Sequence, residues 1–450
     1  MNGSDVEQQE QFSRLSLKTS KSNLLNDLIV PILLMSTIGA FYWAIRGSSG
    51  YGGASGGVFA GIGWALAWFF LSYERAEKKT RPYSSGWIVF AIVMGIGIGG
   101  MHGYGQFMSW IQGKFYLDYP TNWVPINPAV GYLWLFQCGL TWGGITGVLM
   151  GWFGSKKPLR FKDSMIRLTF GIVGAVIAVS ITIFKPEWIN PLYGSVNYND
   201  LITCPDCVRT LSTSLTSMIW IGLFAGLFAF EIFRKDWRNV KLALTMGLGF
   251  ALAFSIFAFW HFGPTFSTLP IDWWKNWEMS IGFFGGITFG VCFYLFNRPS
   301  KSSEVELGKI QPSTLNRNAE KLIGMELAIV LAIGWSIYNG IGGFVDNFGW
   351  DKSIILLISL PLISINLIYF IIMAYKTAKN PYYVNDGRMN IQKPALRFLI
   401  VHVLLVILGY MVSFNPIMTF AHWFLIWVYS ILLINGGVIF LIRIKTGKSK

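Results

Sequence analysis

The chain reads as an all-α, polytopic integral membrane protein with about twelve transmembrane helices and both termini cytoplasmic. Three observations lead there. Of its 450 residues, 53% are hydrophobic, 16% aromatic and only 13% charged, which is too apolar for an ordinary soluble domain. Its apolar runs repeatedly reach the roughly 20 residues that a bilayer requires. Its basic residues fall into alternate polar breaks between those runs, as the positive-inside rule demands.

Taken in order, the runs cover 24–45, 51–72, 86–109, 128–153, 166–184, 212–232, 241–262, 276–296, 322–343, 353–374, 396–413 and 418–442. With the amino terminus inside, 30 of the 36 Lys and Arg residues lie in inner segments, leaving Arg46, Lys114, Lys185, Arg209, Lys275 and Lys352 outside. One missed or invented span would scramble this split downstream, so the charge count tests the span count. The net charge of +14 is therefore a property of cytoplasmic loops, and it implies a bilayer partner and no nucleic acid.

The organisation that follows is a polar cytoplasmic tail at 1–22, helices one to eight over 23–296, and a cytoplasmic linker at 297–321. Helices nine and ten occupy 322–374, a cytoplasmic loop 375–395, helices eleven and twelve 396–442, and a basic tail 443–450. The first 22 residues lack the basic-then-apolar order of a signal peptide. Compact loops without targeting signals suggest a bacterial inner membrane. The outer loops 110–127 and 185–211 are rich in Trp, Tyr, Asn and Pro, and are the expected places for short structure over the membrane face. Gly143-Gly144-Ile145-Thr146 returns as Gly285-Gly286-Ile287-Thr288, and Gly436-Gly437 falls at a similar interval, which suggests internal repeats of four helices.

The stretch FYWAIRGSSGYGGASGGVFAG, Phe41 to Gly61, poses the sharpest question. An arginine beside hydrocarbon costs roughly 2.5 kcal/mol or more unless it snorkels, pairs or lines a wet site. Gly47, Gly50, Gly52, Gly53, Gly56, Gly57 and Gly61 follow it, and Gly53, Gly57 and Gly61 share one helical face as a close-packing seam. Arg46 then either reaches headgroups while the seam docks helix two, or it binds an anion over glycine backbone.

Depth assignment places His102, His261, Glu278 and His422 in an outer layer with Arg46, drawn from five spans that can converge on one site. Glu278 is the natural countercharge for Arg46 or a proton-coupling carboxylate. Trp43 and Trp277 head a dense set of outer aromatics, whose ordinary role is an interfacial belt and whose alternative is stacking on a ligand. At the inner side, Glu231 is expected to pair with Arg234 or Lys235, and His402 to face a neighbour within span eleven.

Cys204 and Cys207, in Cys-Pro-Asp-Cys of the longest outer loop, suit a local disulfide in an oxidising compartment, whereas Cys138 and Cys292 lie within spans as packing residues. No P-loop, HExxH or nucleophile elbow occurs, no local spacing supports a metal, and no cofactor is implied. The loop after span two, SYERAEKKTRPYSSG, lacks the glycine and aspartate pattern that marks the major facilitator superfamily. Three readings follow: a secondary transporter of a small anionic or sugar-like solute, a membrane enzyme acting on a glycan or lipid-linked substrate with His/Glu acid-base chemistry, and a scaffold subunit. The first accounts best for glycine-lined helices without catalytic motifs.

Overall fold

The computed structural model describes residues 24–46, 53–72, 81–102, 104–154, 161–200, 202–298, 317–379, 400, 403–404, 407 and 419–448. The helices that build the bundle are α1 (Val30–Arg46, entered through a π-turn at Leu25–Ile29), α2 (Gly53–Ser72), α3 (Trp87–Gly99), α4 (Gly105–Ile111), α5 (Pro128–Gly154) and α6 (Phe161–Phe184). They continue with α7 (Pro205–Phe233), α8 (Trp237–Ile256), α9 (Trp273–Phe296), α10 (Arg317–Phe348), α11 (Ser353–Lys379) and α12 (Phe420–Lys448). Among the described residues, nine helical segments are long and apolar enough to cross a membrane. The protein is a multi-pass, all-α integral membrane protein.

Several expected elements fall outside the described residues: the tail 1–22, most of the loops 297–321 and 375–395, Gly47, Gly50, Gly52 and His402. Of the expected span 396–413, only residues 400, 403, 404 and 407 are described, as helix. The segment 443–450, expected as a tail, continues α12 as helix to Lys448.

One expected span is corrected. Residues 86–109 do not form one helix: α3 stops at Gly99 after 13 residues, the chain opens around His102, and α4 restarts for seven residues at Gly105. The run Gly95, Gly97, Gly99 and Gly100 explains the break, since glycine gives up more backbone entropy in a helix than any other ordinary residue. A second irregularity ends α8, where residues Phe257–Phe262 tighten into a 3-10 turn carrying His261.

Helices in lipid gain nothing from hydrophobic exclusion of one another, so close packing must supply the association. Here glycine rows supply it. Gly282, Gly286 and Gly290 of α9 run antiparallel to α1, where a Cβ at Gly286 would overlap the Met35 carbonyl. Gly139, Gly143, Gly147 and Gly151 of α5 lie likewise along α8, from Phe250 down to Asn239. The seam Gly57 and Gly61 of α2 rests on Val93, Ile96 and Gly97 of α3. Gly95 against Thr146, Gly249 against Thr288 and Gly63 against Tyr42 join these pairs, so that α1, α2, α3, α5, α8 and α9 form one body. By contrast α6 and α11 are exposed along most of their length, as befits helices facing lipid.

One end of the bundle, which carries Arg46, is roofed by irregular structure. An antiparallel hairpin pairs Lys114–Asp118 with Asn122–Pro125, and its buried Phe115 sits between Trp110 and Tyr198. The hairpin backbone at Tyr119 donates to Asp206 (2.6 Å), beside a Cys204–Cys207 disulfide with a Cα separation of 5.3 Å.

Candidate functional site

Arg46 is the last residue of α1, and it is 3% exposed. The choice between a headgroup-facing and an inward arginine thus resolves inward. Its neighbours come from distant parts of the chain because the glycine seam draws α9 tight against α1, so that the final turn of α1 meets the first turn of α9. There Asp272 caps the helix by accepting from the Lys275 backbone N–H (3.0 Å). Lys275 and Glu278, one turn apart, project to the same face.

The resulting cluster has a definite order of contacts. Lys275 Nζ donates to Glu278 Oε2 at 2.8 Å, and Trp274 Nε1 donates to Glu278 Oε1 at 3.0 Å. Arg46 stands further off, with its guanidinium 3.8 Å from Glu278 Oε1, and it donates to the Tyr104 hydroxyl. Its Cζ lies 5.2 Å from the Trp43 ring, 5.3 Å from Tyr104 and 4.9 Å from Trp142. Such cation–π contacts reach about 2 kcal/mol when desolvated. Trp43 and Trp142 approach to 4.8 Å between centroids. Tyr104 is delivered by the break after α3, which makes the discontinuous helix part of the site.

Two properties of this cluster matter. Its buried charged groups are two cations, Arg46 and Lys275, and one carboxylate, Glu278 (3%, 6% and 1% exposed), with the half-buried carboxylate of Asp272 beside Lys275 at the helix start. Uncompensated buried charge is expensive. In addition Arg46 Nε, Trp43 Nε1 and Trp142 Nε1 are buried N–H groups without a hydrogen-bond acceptor among the described residues, each costing about 1–3 kcal/mol if left so. The cluster is short of acceptors and of negative charge.

The seven candidate residues divide accordingly. Arg46, Glu278, Trp43 and Trp277 come together, Trp277 through ring contact with Tyr104 (5.5 Å). His261 joins at the edge, its ring against Trp274 and Trp277 at 5.1 and 4.9 Å, with Nε2 buried and unpartnered. His102 is held elsewhere, by Thr141 (2.9 Å) and Cys138 (3.8 Å). Thr141 adjoins Trp142 in sequence, so His102 is a neighbour of the cluster without contacting Arg46. His422 does not join: its ring bonds to Thr419 at the start of α12 (2.7 Å), satisfying a local helix end.

Sequence reasoning overlooked Tyr104, Trp142 and Lys275 as partners of Arg46. Lys275 carried a signal that could have found it, the i, i+3 spacing to Glu278. The interfacial-belt expectation is also corrected in part, since Trp43, Trp110 and Trp277 are fully buried whereas Trp123, Trp335, Trp350 and Trp423 are exposed. Glu231 pairs with Arg167 across the α6–α7 hairpin (2.8 Å, both side chains fully buried), and Arg234 turns to Asp163 (3.7 Å). The reason is depth: Glu231 lies buried one turn inside the helix end, where Arg167 can reach it. Among the described residues, no three His, Cys, Asp or Glu side chains group as metal ligands. Comparison with protein-family models, with curated proteins and with solved structures finds no match to this chain.

Proposed function

We propose that the protein is a secondary transporter of a small anionic or sugar-like solute, with twelve passes, both termini in the cytoplasm and its site toward the outer face of a bacterial inner membrane. The observation that carries the reading is the buried Arg46–Lys275–Glu278 cluster, with its excess cation and its N–H groups that lack acceptors. A charge imbalance of this kind in a membrane interior marks a substrate or ion pathway more often than a packing device. The broken helix that supplies Tyr104 supports it too, because irregular backbone at membrane depth is tolerated where it borders a transport site. The lopsided loop charges support the orientation, and the repeated Gly-Gly-Ile-Thr quartets fit a duplicated transporter architecture. Glu278, touched by Lys275, Trp274 and Arg46, is the carboxylate placed to exchange a coupling proton. Against the enzyme reading stands the separation of His102, His261 and His422, each of which is tied to a different neighbour.

The test is uptake by proteoliposomes holding the purified protein, under imposed pH and sodium gradients, across a panel of labelled monocarboxylates, amino acids and hexoses. Wild-type protein should accumulate at least one, and Arg46→Ala and Glu278→Gln should each lower that rate at least about tenfold, the scale of one charged hydrogen bond. Undiminished uptake in both variants would remove the cluster from the mechanism.

A further inference from the structure

Resting on the transport reading, we infer that the group recognised at Arg46 is a single carboxylate, and that Arg46, Trp43, Trp142 and Tyr104 form the recognition set. The argument begins with a count of what the cluster still has to offer. Both oxygens of Glu278 are engaged: Oε2 accepts from Lys275 and Oε1 from Trp274. Lys275 is held by the same carboxylate. Arg46 is not, since it stands 3.8 Å from Glu278 Oε1 and retains a free Nε–H. The two indoles that flank its guanidinium each bring one more free N–H, and the Tyr104 hydroxyl, which accepts from Arg46, keeps its own proton to donate.

The unpartnered nitrogens of Arg46, Trp43 and Trp142 are all donors, and they outnumber the acceptor positions left beside them on the Tyr104 hydroxyl and, at the edge, on His261 Nε2. A sugar hydroxyl donates as well as accepts, whereas three free N–H groups favour a ligand group that only accepts. Lys275 has Glu278 at 2.8 Å and Asp272 beside it, so Arg46 is the cation left without a close carboxylate and it matches one negative charge; a dianion would overfill it. A carboxylate offers two oxygens with about four lone-pair positions and no donor, and it fits the planar fork of a guanidinium better than a spherical ion does. Binding one would also relieve the cost of the leftover charge and the unmet N–H groups together.

The experiment is calorimetric titration of the full-length protein in lipid nanodiscs with sodium acetate, acetamide as its neutral counterpart, sodium chloride, sodium nitrate and sodium sulfate. Acetate should bind saturably in the millimolar range or tighter, with acetamide and sulfate silent. Trp43→Phe and Trp142→Phe keep an aromatic ring but lose the N–H, and each should weaken acetate by about 3- to 10-fold. Arg46→Gln should weaken it at least about 30-fold. The Phe variants keep the test meaningful should Arg46→Gln fail to fold. Chloride or nitrate binding as tightly as acetate would overturn the carboxylate assignment in favour of an inorganic monoanion. Unaltered acetate affinity in both Phe variants, or no acetate binding by monodisperse wild-type protein, would also overturn it. Acetate binding without uptake of any panel solute would leave the inference standing and sink the transport reading; uptake without acetate binding would do the reverse.

Discussion

The network around Asn297 and the cluster around Arg46, at opposite ends of the bundle, handle buried polarity in opposite ways. At the Asn297 end, α1, α2, α8, α9 and the loop before α3 are tied by a network in which partners match. Arg81 donates to Asp27 (2.6 Å) and to the Asn297 carbonyl (2.8 Å). The Asn297 side chain accepts from Tyr83 N–H (2.9 Å) and donates to Ser72 (2.8 Å). Tyr83 reaches on to Asn239 (2.9 Å), which donates to Asp236 (2.9 Å). None of these side chains holds a buried polar atom without a partner. In the Arg46 cluster, unpartnered N–H groups outnumber free acceptors and buried cations outnumber buried carboxylates. A satisfied network rigidifies; an unsatisfied one costs stability and is kept where a ligand completes it. The same chain thus satisfies the Asn297 network and leaves the Arg46 cluster with donors to spare, while Arg167 at the Asn297 end keeps buried N–H groups of its own beside Glu231.

The contrast can be broken at three points, and the largest effect is expected at the seam that holds both ends in register. Gly286→Leu places a side chain on the Met35 carbonyl and has no room to relax, so loss of the monodisperse folded protein on size-exclusion chromatography is the expected outcome. A folded, monodisperse variant would show that α1 and α9 are not held by close packing. Next comes Asn297→Ala, which strips partners from Tyr83 N–H and Ser72 at once; it should cost about 2–4 kcal/mol, from two unmet buried groups, read as a lowered thermal midpoint in detergent. A cost under about 1 kcal/mol, the worth of an ordinary hydrogen bond, would mean that water replaces the network.

Much of this architecture was legible in the sequence, and what was not has a physical reason. The glycine row at Gly53, Gly57 and Gly61 announced a docking face through its four-residue period, and Gly57 and Gly61 pack on α3. Arg46 and Glu278 stood out because ionised groups are costly in apolar runs. Asn297, Asn239, Ser72 and Asp27 did not, because small polar residues at helix ends look solvated, and their partners lie up to 225 positions away. The break at 100–104 was hidden by apolar composition that continues through it. Trp142 was lost among 20 tryptophans, since nothing local separates a residue under a guanidinium from one facing lipid.

The smallest effect on stability, and the most telling, belongs to Arg46→Gln. Removing this cation leaves Glu278 paired with Lys275 and brings the buried cluster to neutrality, which offsets the lost cation–π contacts. The direct measurement is its thermal midpoint set beside that of Asn297→Ala under identical conditions. A midpoint within about 2 °C of wild type, or above it, while Asn297→Ala falls by several degrees, is the result expected when polarity at the Arg46 end is reserved for a ligand. A fall in Arg46→Gln as deep as that of Asn297→Ala would contradict it and make Arg46 one more strut of the fold.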